Sequence, residues 1–563
     1  MRKMEEGNII ISYNKNVFNG YKYYNLETEY PYAFDLYNKC LVIDIVVGIL
    51  YLSSKQIYKT KKGEIMKTFS AFDNRFPSFL VKTKKREMND YYVVVKMGID
   101  KNTNKIYGSV INYIGKISDI NISLKTITTC HWNNNIEKNI IKYHNIDTEN
   151  ERNLLEENNN WHTITVDPNN CYDIDDAIQC IKYNDYTEIR IHIADVSSYI
   201  PENSELDIEL SNRIESIYFR NETINMLHHT LSTNICSLKE NTIRRTFTLI
   251  IKLSNNLNDI TIDNLSYKFV RTNTFINKNL SYDNINNIIQ NINNNEIDNL
   301  DKSIHLIYNI GKDIGKIINN KKIEYDSHTM IENFMIITNI MAAKYIGQKE
   351  NSLIRGQRSP INLSTIECVD KKLKTLHNNL QMERALYYLD SEQDNYHYGL
   401  NISKYTHFTS PIRRYADIIV HRMIDKMNKI EENNYKKLIP IIYKMNHYNK
   451  FYKEIMYLDK IINIFGENDT IELSGNVVFI TENNINIYID EYDLIVNINL
   501  IDNILKKISY IELTDKSMNI STNEEIWEIE LYQKVKIKMF KIKKSYKLIK
   551  VIIIEPNIID IFE

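Results

Sequence analysis

The stretch Thr165-Val-Asp167-Pro-Asn-Asn-Cys-Tyr-Asp173-Ile-Asp175-Asp176-Ala-Ile178 places four carboxylates within ten positions, directly after an apolar, β-branched run at 163–166. Such crowding is costly in a bare protein. Like charges a few ångströms apart repel and raise each other's pKa, whereas a divalent cation removes both penalties and takes carboxylate oxygens as hard ligands. Asp167-Pro168 favours an extended exit from a strand, and Asn169-Asn170 is turn chemistry that folds the chain back. If 173–176 is extended, Asp173 and Asp175 share a face and Asp176 points away, so a bend there brings all four together. Gathered in that way they suit two Mg2+ ions about 3.5–4 Å apart, which activate water and stabilise the leaving oxygen of an in-line phosphoryl displacement. An EF-hand is excluded, because neither frame, from Asp167 or from Asp173, supplies the Gly and Glu its loop requires. A DxD metal site of a glycosyltransferase or nucleotidyltransferase and a solvated acidic loop both stay open at this point.

A second block, Tyr405-Thr-His407-Phe-Thr409-Ser410-Pro411-Ile-Arg413-Arg414-Tyr415-Ala-Asp417-Ile-Ile-Val-His421-Arg422, supplies the complementary charge. Pro411 is suited to the first position of a helix with Ser410 as its cap, which puts Arg413 and Arg414 in the first turn. Cations set against the helix dipole imply an anionic partner, and a guanidinium holds a phosphate bidentately. Asp417 and His421, each one turn along, read as structural partners of these groups.

Around these blocks the chain is long and balanced. At 563 residues it has room for three to four units of about 150 residues, and 43% hydrophobic with 25% charged residues is a globular composition. Lys plus Arg (70) nearly equals Asp plus Glu (72), so a polyanion would have to be met by a local patch. The six cysteines form no CxxC pair, which excludes a zinc ribbon and a dense disulfide framework and reads as reduced thiols in an intracellular, cytoplasmic protein. No apolar run approaches the ~20 residues of a membrane span. With 40 tyrosines in the chain, a single Tyr carries little signal.

The patterning divides the chain into a β-rich start with strands at 41–52, 91–97 and 106–114, a mixed centre and a β-rich end. The centre has strands at 163–166, 188–193 and 247–253, helices at 304–318, 330–346, 364–374 and 412–429, and an Asn-biased helix at 283–300. Near the end, Lys534, Lys536 and Lys538 alternate with Val535, Ile537 and Met539, which sets ammonium groups on one face of a barrel strand. Those lysines either solvate an exposed face or grip RNA backbone from an S1-type barrel.

The residues now quoted, with HIADVSSYI (192–200), MLHHTLSTNICSL (226–238) and HYGLNISKYTHFTSPIRRYADIIVHR (397–422), resemble in order the signature blocks of the RNB family: ribonuclease II, ribonuclease R and the catalytic subunit of the exosome. The resemblance implies a multidomain α+β protein. A central mixed α/β catalytic domain at 161–462 would be flanked by small OB-type β-barrels: a shortened cold-shock-like barrel at 1–65, a second at 66–135 and an S1-like barrel at 463–563, with a connector at 136–160. No PIN domain is expected, for want of room. The implied activity is Mg2+-dependent, processive 3′-to-5′ hydrolysis of single-stranded RNA to nucleoside 5′-monophosphates by a monomer, without an organic cofactor or a membrane.

Carried over by position, Asp167, Asp173, Asp175 and Asp176 match the family's metal and catalytic aspartates, and Arg413 the arginine at the scissile phosphate, with Arg414 beside it on the RNA. Tyr218 falls at the tyrosine that stacks on the terminal base, Tyr282 at a second active-site tyrosine and Glu332 at a glutamate near the 3′ end. Two departures stand out. His228 replaces the proline of an MLP motif, and the segment 321–330 is shorter than the strand-bearing insertion of relatives, which leaves product length open. A catalytically inactive RNA-binding module of the same fold is the alternative.

Overall fold

The computed structural model describes residues 45–60, 63–71, 78–99, 106–117, 160–220, 223–255, 260–290, 298–319, 325–348, 351–360, 370–390, 396–428, 438–466, 468–499, 508–514, 517–522, 526–541 and 549–555, together with a few two-residue ladder pairs. The chain divides into two compact units, one of Met1–His131, Arg358–Arg384 and Asn449–Glu563, the other of Trp132–Gln357 and Ala385–Tyr448.

In the first unit, strands β1 (Ile45–Leu50), β2 (Ile65–Ala71), β3 (Phe79–Lys82), β4 (Tyr91–Ile99) and β5 (Ile106–Lys116) form a closed barrel in the order β1-β4-β5-β3-β2. Pairing of Gly48 with Ala71 and of Leu50 with Phe69 joins β2 back to β1. Alternation along the strands sends Phe69, Phe79, Val81, Val93 and Val95 inward, where they form a core from which water is excluded. The β3–β5 pair is parallel and its neighbours antiparallel. The barrel takes its first strand from before residue 65, where the sequence reading drew a division. Apart from that strand and its continuation, the expected barrel at 1–65 lies mostly outside the described residues, as does the connector at 136–160.

The second unit is built on a seven-stranded sheet that contains β6 (Ile164–Asp167), β7 (Asp176–Lys182), β8 (Tyr186–Ala194), β9 (Thr242–Ser254), β10 (Ser266–Ile276) and β11 (Lys278–Ser281). Strands β7 to β10 form an antiparallel meander, whereas β6 pairs in parallel with β11. The helices are α1 (Glu205–Arg213), α2 (Tyr282–Gln290), α3 (Asn299–Ile317) and α4 (Ser327–Ile346). The single helix expected at 283–300 is described as α2, and a new helix starts at Asn299 because Asp298 caps it by accepting from the Asp301 N–H. Helix α4 is apolar on nearly every face and correspondingly buried. Gly311 and Gly315 of α3 let it approach α4: a Cβ at Gly311 would lie 2.9 Å from Met330 Cγ, and Asn333 Nδ2 donates to the Gly311 carbonyl at 3.0 Å.

Helix α5 (Lys371–Gln381) begins at the Asp370 cap, later than the expected 364–374, and belongs to the first unit. Its Leu373 packs with Val478 and Tyr488, and His377 Nδ1 lies 2.9 Å from the Val478 carbonyl. Those partners belong to a five-stranded sheet that includes β12 (Thr470–Thr481), β13 (Asn484–Ile489), β14 (Leu494–Asn499) and, later in the chain, β15 (Lys534–Lys541). The expected alternation holds on β15, where Val535, Ile537 and Met539 are buried and the lysines face outward.

Helix α6 (Tyr415–Asn428) begins later than expected. Arg413 and Arg414 therefore precede it in a turn closed by N–H bonds to the Ser410 carbonyl, and the argument from cations against the helix dipole does not apply to them. The first turn instead carries Asp417, which accepts from the Ser410 N–H at 2.7 Å and from Arg414 at 2.9 Å. One turn on, His421 is wholly buried beside Phe408 and Phe247, and its Nε2–H donates to the Phe408 carbonyl at 2.8 Å. Its Nδ1 is buried without a hydrogen-bond partner. Among the described residues no helix is long and apolar enough to cross a membrane.

Two stability predictions follow from this packing. A Cβ at Gly48 would lie 2.7 Å from Ala71 Cα and collide with the Ser70 carbonyl, backbone atoms that cannot rotate away. Gly48→Ala is expected to destabilise the barrel by about 2–3 kcal/mol, read as a lower urea midpoint; an unchanged midpoint would refute the closure. Burial pushes the His421 pKa down to about 4. Below the ordinary histidine value the unfolded chain therefore takes up a proton that the folded chain refuses, and stability falls with pH across that window. Between pH 7 and 5 the stability advantage of wild type over His421→Gln should shrink by about 2 kcal/mol, and parallel declines in the two urea series would count against it.

Candidate active site

Strand β6 ends on Asp167, and the chain turns back through Asn170, whose φ of 65° is the left-handed conformation that Asn tolerates. The returning segment is held by its backbone: Ile174 N–H donates to Ser237 Oγ at 3.2 Å, Leu238 N–H to the Ile174 carbonyl at 3.1 Å, and Ala194 N–H to the Asp175 carbonyl at 2.8 Å. Asp176 then opens β7. The turn expected at Asn169-Asn170 is present.

The four carboxylates are nevertheless not bare. Asp175, 5% exposed, accepts from the Ile412 N–H at 2.8 Å and has Arg413 Nε 3.4 Å from its other oxygen. Asp173 accepts from the Tyr218 hydroxyl at 2.7 Å and from the Cys171 thiol at 3.6 Å. Asp167 Oδ2 is buried with no hydrogen-bond partner. Among the described residues no group of three or more His, Cys, Asp or Glu side chains is arranged to hold an ion as the side chains stand, although Asp167 lies near enough to Asp176 to raise its pKa. Protein donors occupy Asp173 and Asp175 and offset charges that would otherwise repel.

The electrostatics remain those of an acidic site in want of positive charge. Burial, with Asp173 adding to it, raises the Asp167 carboxyl to about 6, against the Cys171 hydrogen bond. Burial and then Asp167 raise Asp176 to about 8. Asp175 is raised well above the usual carboxylate range by burial, against Arg413 and the Ile412 N–H.

Strand register brings in Tyr282. Asp167 pairs with Ser281 across the parallel β6–β11 ladder, so the next residue, Tyr282, starts α2 beside the acids. Burial, then Asp176 and Asp167, push its phenol up to about 12. Its ring lies face to face with His328, at 3.6 Å between centroids and 16° between planes. Glu332 is half-buried on α4, one turn beyond His328.

Arg413 is 38% exposed beside Asp175, but Arg414 turns inward to Asp417 and is 15% exposed. The lysines of β15 belong to the other unit, where Lys536 and Lys538 both pair with Glu472 at 3.4 Å. His228 substitutes for a turn-forming residue by accepting the Thr230 N–H on Nδ1 at 3.2 Å. The Ile412 N–H, the Cys171 thiol and His328 are not among the residues expected from the sequence. Of these His328 carried a signal, since it stands four positions before Glu332 and so shares its helix face.

Known proteins resemble this chain in sequence and in fold. Residues 155–429 match the RNB domain. The chain is 30% identical over 326 residues to human exosome complex exonuclease RRP44, an overlap of 46% of this chain and 33% of that protein. It is 30% identical over 482 residues to ribonuclease R of Mycoplasmopsis pulmonis, covering 69% of this chain and 63% of that one. The chain thus spans between a third and two thirds of the length of these relatives. In fold it resembles Mycoplasma genitalium RNase R solved with ribose-methylated single-stranded RNA, with a TM-score of 0.66 at 18% identity over 97% of this chain and 94% of that one. Yeast Ssd1, a pseudonuclease, has the same TM-score at 14% identity, over 97% and 86% of the two chains. Residues 155–429 of this chain are an RNB domain, the domain family to which its ribonuclease R and exosome exonuclease relatives belong.

Proposed function

We propose that this chain is a divalent-metal-dependent exoribonuclease that removes nucleoside 5′-monophosphates one at a time from the 3′ end of single-stranded RNA. The observation that carries this reading is the set of carboxylates made by buried Asp175 and half-buried Asp167 and Asp176, each raised above its ordinary range next to the half-exposed Arg413. A cation is the partner such a set lacks. Asp167 Oδ2, buried and unpartnered, fits a ligand oxygen, and hard carboxylates are the donors that Mg2+ takes. Asp167, Asp173, Asp175 and Asp176 would hold it, with two ions during catalysis, once their side chains turn together from the positions they take here. Once bound, the metal supplies an activated water and neutralises charge on the leaving oxygen.

The protein's own residues do the rest. Arg413 presents its guanidinium to the scissile phosphate, steadied by Asp175 and by Ser410 Oγ at 2.9 Å. Tyr218, anchored through its hydroxyl to Asp173, offers a ring face to the terminal base. Tyr282 and Glu332 border the 3′ end. Stacking on aromatics tolerates any base, and contact with a 2′-hydroxyl restricts the substrate to RNA. The Ile45–Lys116 barrel, with its parallel third and fifth strands, reads as an OB-type cold-shock-like barrel, and the C-terminal sheet as S1-like. For Lys534, Lys536 and Lys538 to meet RNA, phosphates would have to displace Glu472 from the last two. Processivity belongs to the same proposal.

A second reading, an RNA-binding module without turnover, draws support from the likeness in fold to a pseudonuclease. Retention of all four aspartates and Arg413 favours activity. A 5′-labelled single-stranded RNA incubated with Mg2+ should shorten from its 3′ end, with loss of all shortening in EDTA; binding without shortening in either buffer would establish the inactive module. Asp175→Asn should bind the same RNA nearly as well while losing about 10³-fold in turnover, and undiminished release of mononucleotide would remove Asp175 from the mechanism. Arg413→Ala is expected to lower kcat about 10²-fold with a small change in affinity, and a loss confined to affinity would make it a binding residue only.

A further inference from the structure

We propose that His328 is a positioning residue for the reaction assigned above: its imidazole, laid flat on Tyr282, holds that phenol against the acidic cluster. The inference rests on the exoribonuclease reading for its functional meaning and on geometry for its substance. Strand register delivers the backbone of Tyr282 to the side of Asp167, but not the direction of its ring. A half-buried tyrosine at the first residue of a helix has more than one open rotamer, and an added face contact selects among them. Among the described residues the Tyr282 hydroxyl makes no hydrogen bond, and His328 supplies its ring-to-ring contact, at 3.6 Å and 16°. The phenol is thus oriented by its face, and its oxygen stays available to a substrate.

The imidazole comes from a fixed point. Asp326 caps α4 by accepting from the Thr329 N–H at 2.8 Å. Ser327, between them, donates from Oγ to the Tyr282 carbonyl at 3.1 Å and from its N–H to Asn286 Oδ1 at 3.1 Å. The two helix starts are therefore tied together through Ser327. His328 itself is exposed, so its place against Tyr282 is not imposed by a core. Glu332, four residues further along α4, extends the same face. Tyr282, which feels Asp176 and Asp167, is thus the member of the stacked pair that faces the acids, with His328 as its support.

The test compares single and double variants on 5′-labelled single-stranded RNA with Mg2+. His328→Ala should lower kcat about three- to tenfold with KM and thermal midpoint nearly unchanged, and His328→Phe, which keeps a stacking face, should restore most of the loss. In a Tyr282→Leu background, His328→Ala should cost nothing further, because it acts through that ring. Wild-type kcat in His328→Ala, a Phe variant as slow as the Ala variant, or full additivity would each overturn the proposal. An activity-independent reading comes from 13C-labelled histidine: the Cε1–H resonance of His328 should be shifted upfield by the tyrosine ring and return in Tyr282→Leu. Absence of that shift overturns the stack. A shifted resonance in a wild-type chain that degrades no RNA defeats the exoribonuclease reading instead, and the catalytic role with it.

Discussion

The carboxylate of Asp175 joins two stretches of sequence that lie 237 positions apart, through the Ile412 N–H, and its other oxygen faces Arg413. Almost everything about the site depends on this contact. It is buried, so the negative charge is expensive unless donors converge on it, and the 410–414 turn is shaped to supply them. The same contact sets Arg413 beside the acids with its outer side open. A group that would otherwise destabilise the core becomes the reason that the acidic and basic blocks share one place.

The other members of the site arrive by regular structure. A parallel ladder gives Tyr282 its position, because Asp167 and Ser281 are register partners, and an antiparallel ladder pairs Asp176 with Ile193 on the neighbouring strand. One helix cap and one serine then deliver His328 to the tyrosine ring. The chemistry sits at the ends of strands and starts of helices, where direction is well defined and backbone donors are unspent. Behind it, His421 stays neutral in a box of phenylalanines and Arg414 is neutralised by Asp417, so the nearby scaffold adds little competing charge.

Much of this was legible in the chain because it is local. Strands at 163–166 and 188–193, the turn at Asn169-Asn170 and the helix at 330–346 follow from β-branched runs, turn residues and apolar spacing, and the structure contains each. The helix starts at 371 and 415 were misread, because Asp370 and Asp417 organise those starts by hydrogen bonds whose geometry a propensity does not carry. The partners of the four aspartates were not legible for a related reason. Counting charges reveals that they need partners, but Tyr218 and the Ile412 N–H are brought to them only by folding.

The sequence by itself determined the chemical inventory: four clustered acids, a paired arginine block, a lysine-striped strand and the family to which the centre belongs. These are properties of residue type and short spacing, which survive in an unfolded chain. The tertiary structure alone decided which arginine faces the acids, which oxygen of Asp167 has no partner, that Glu472 neutralises two of the lysines, and that a histidine supports Tyr282. Each of those depends on a distance between groups far apart along the chain, and such distances exist only once strands have found their register and side chains have been buried.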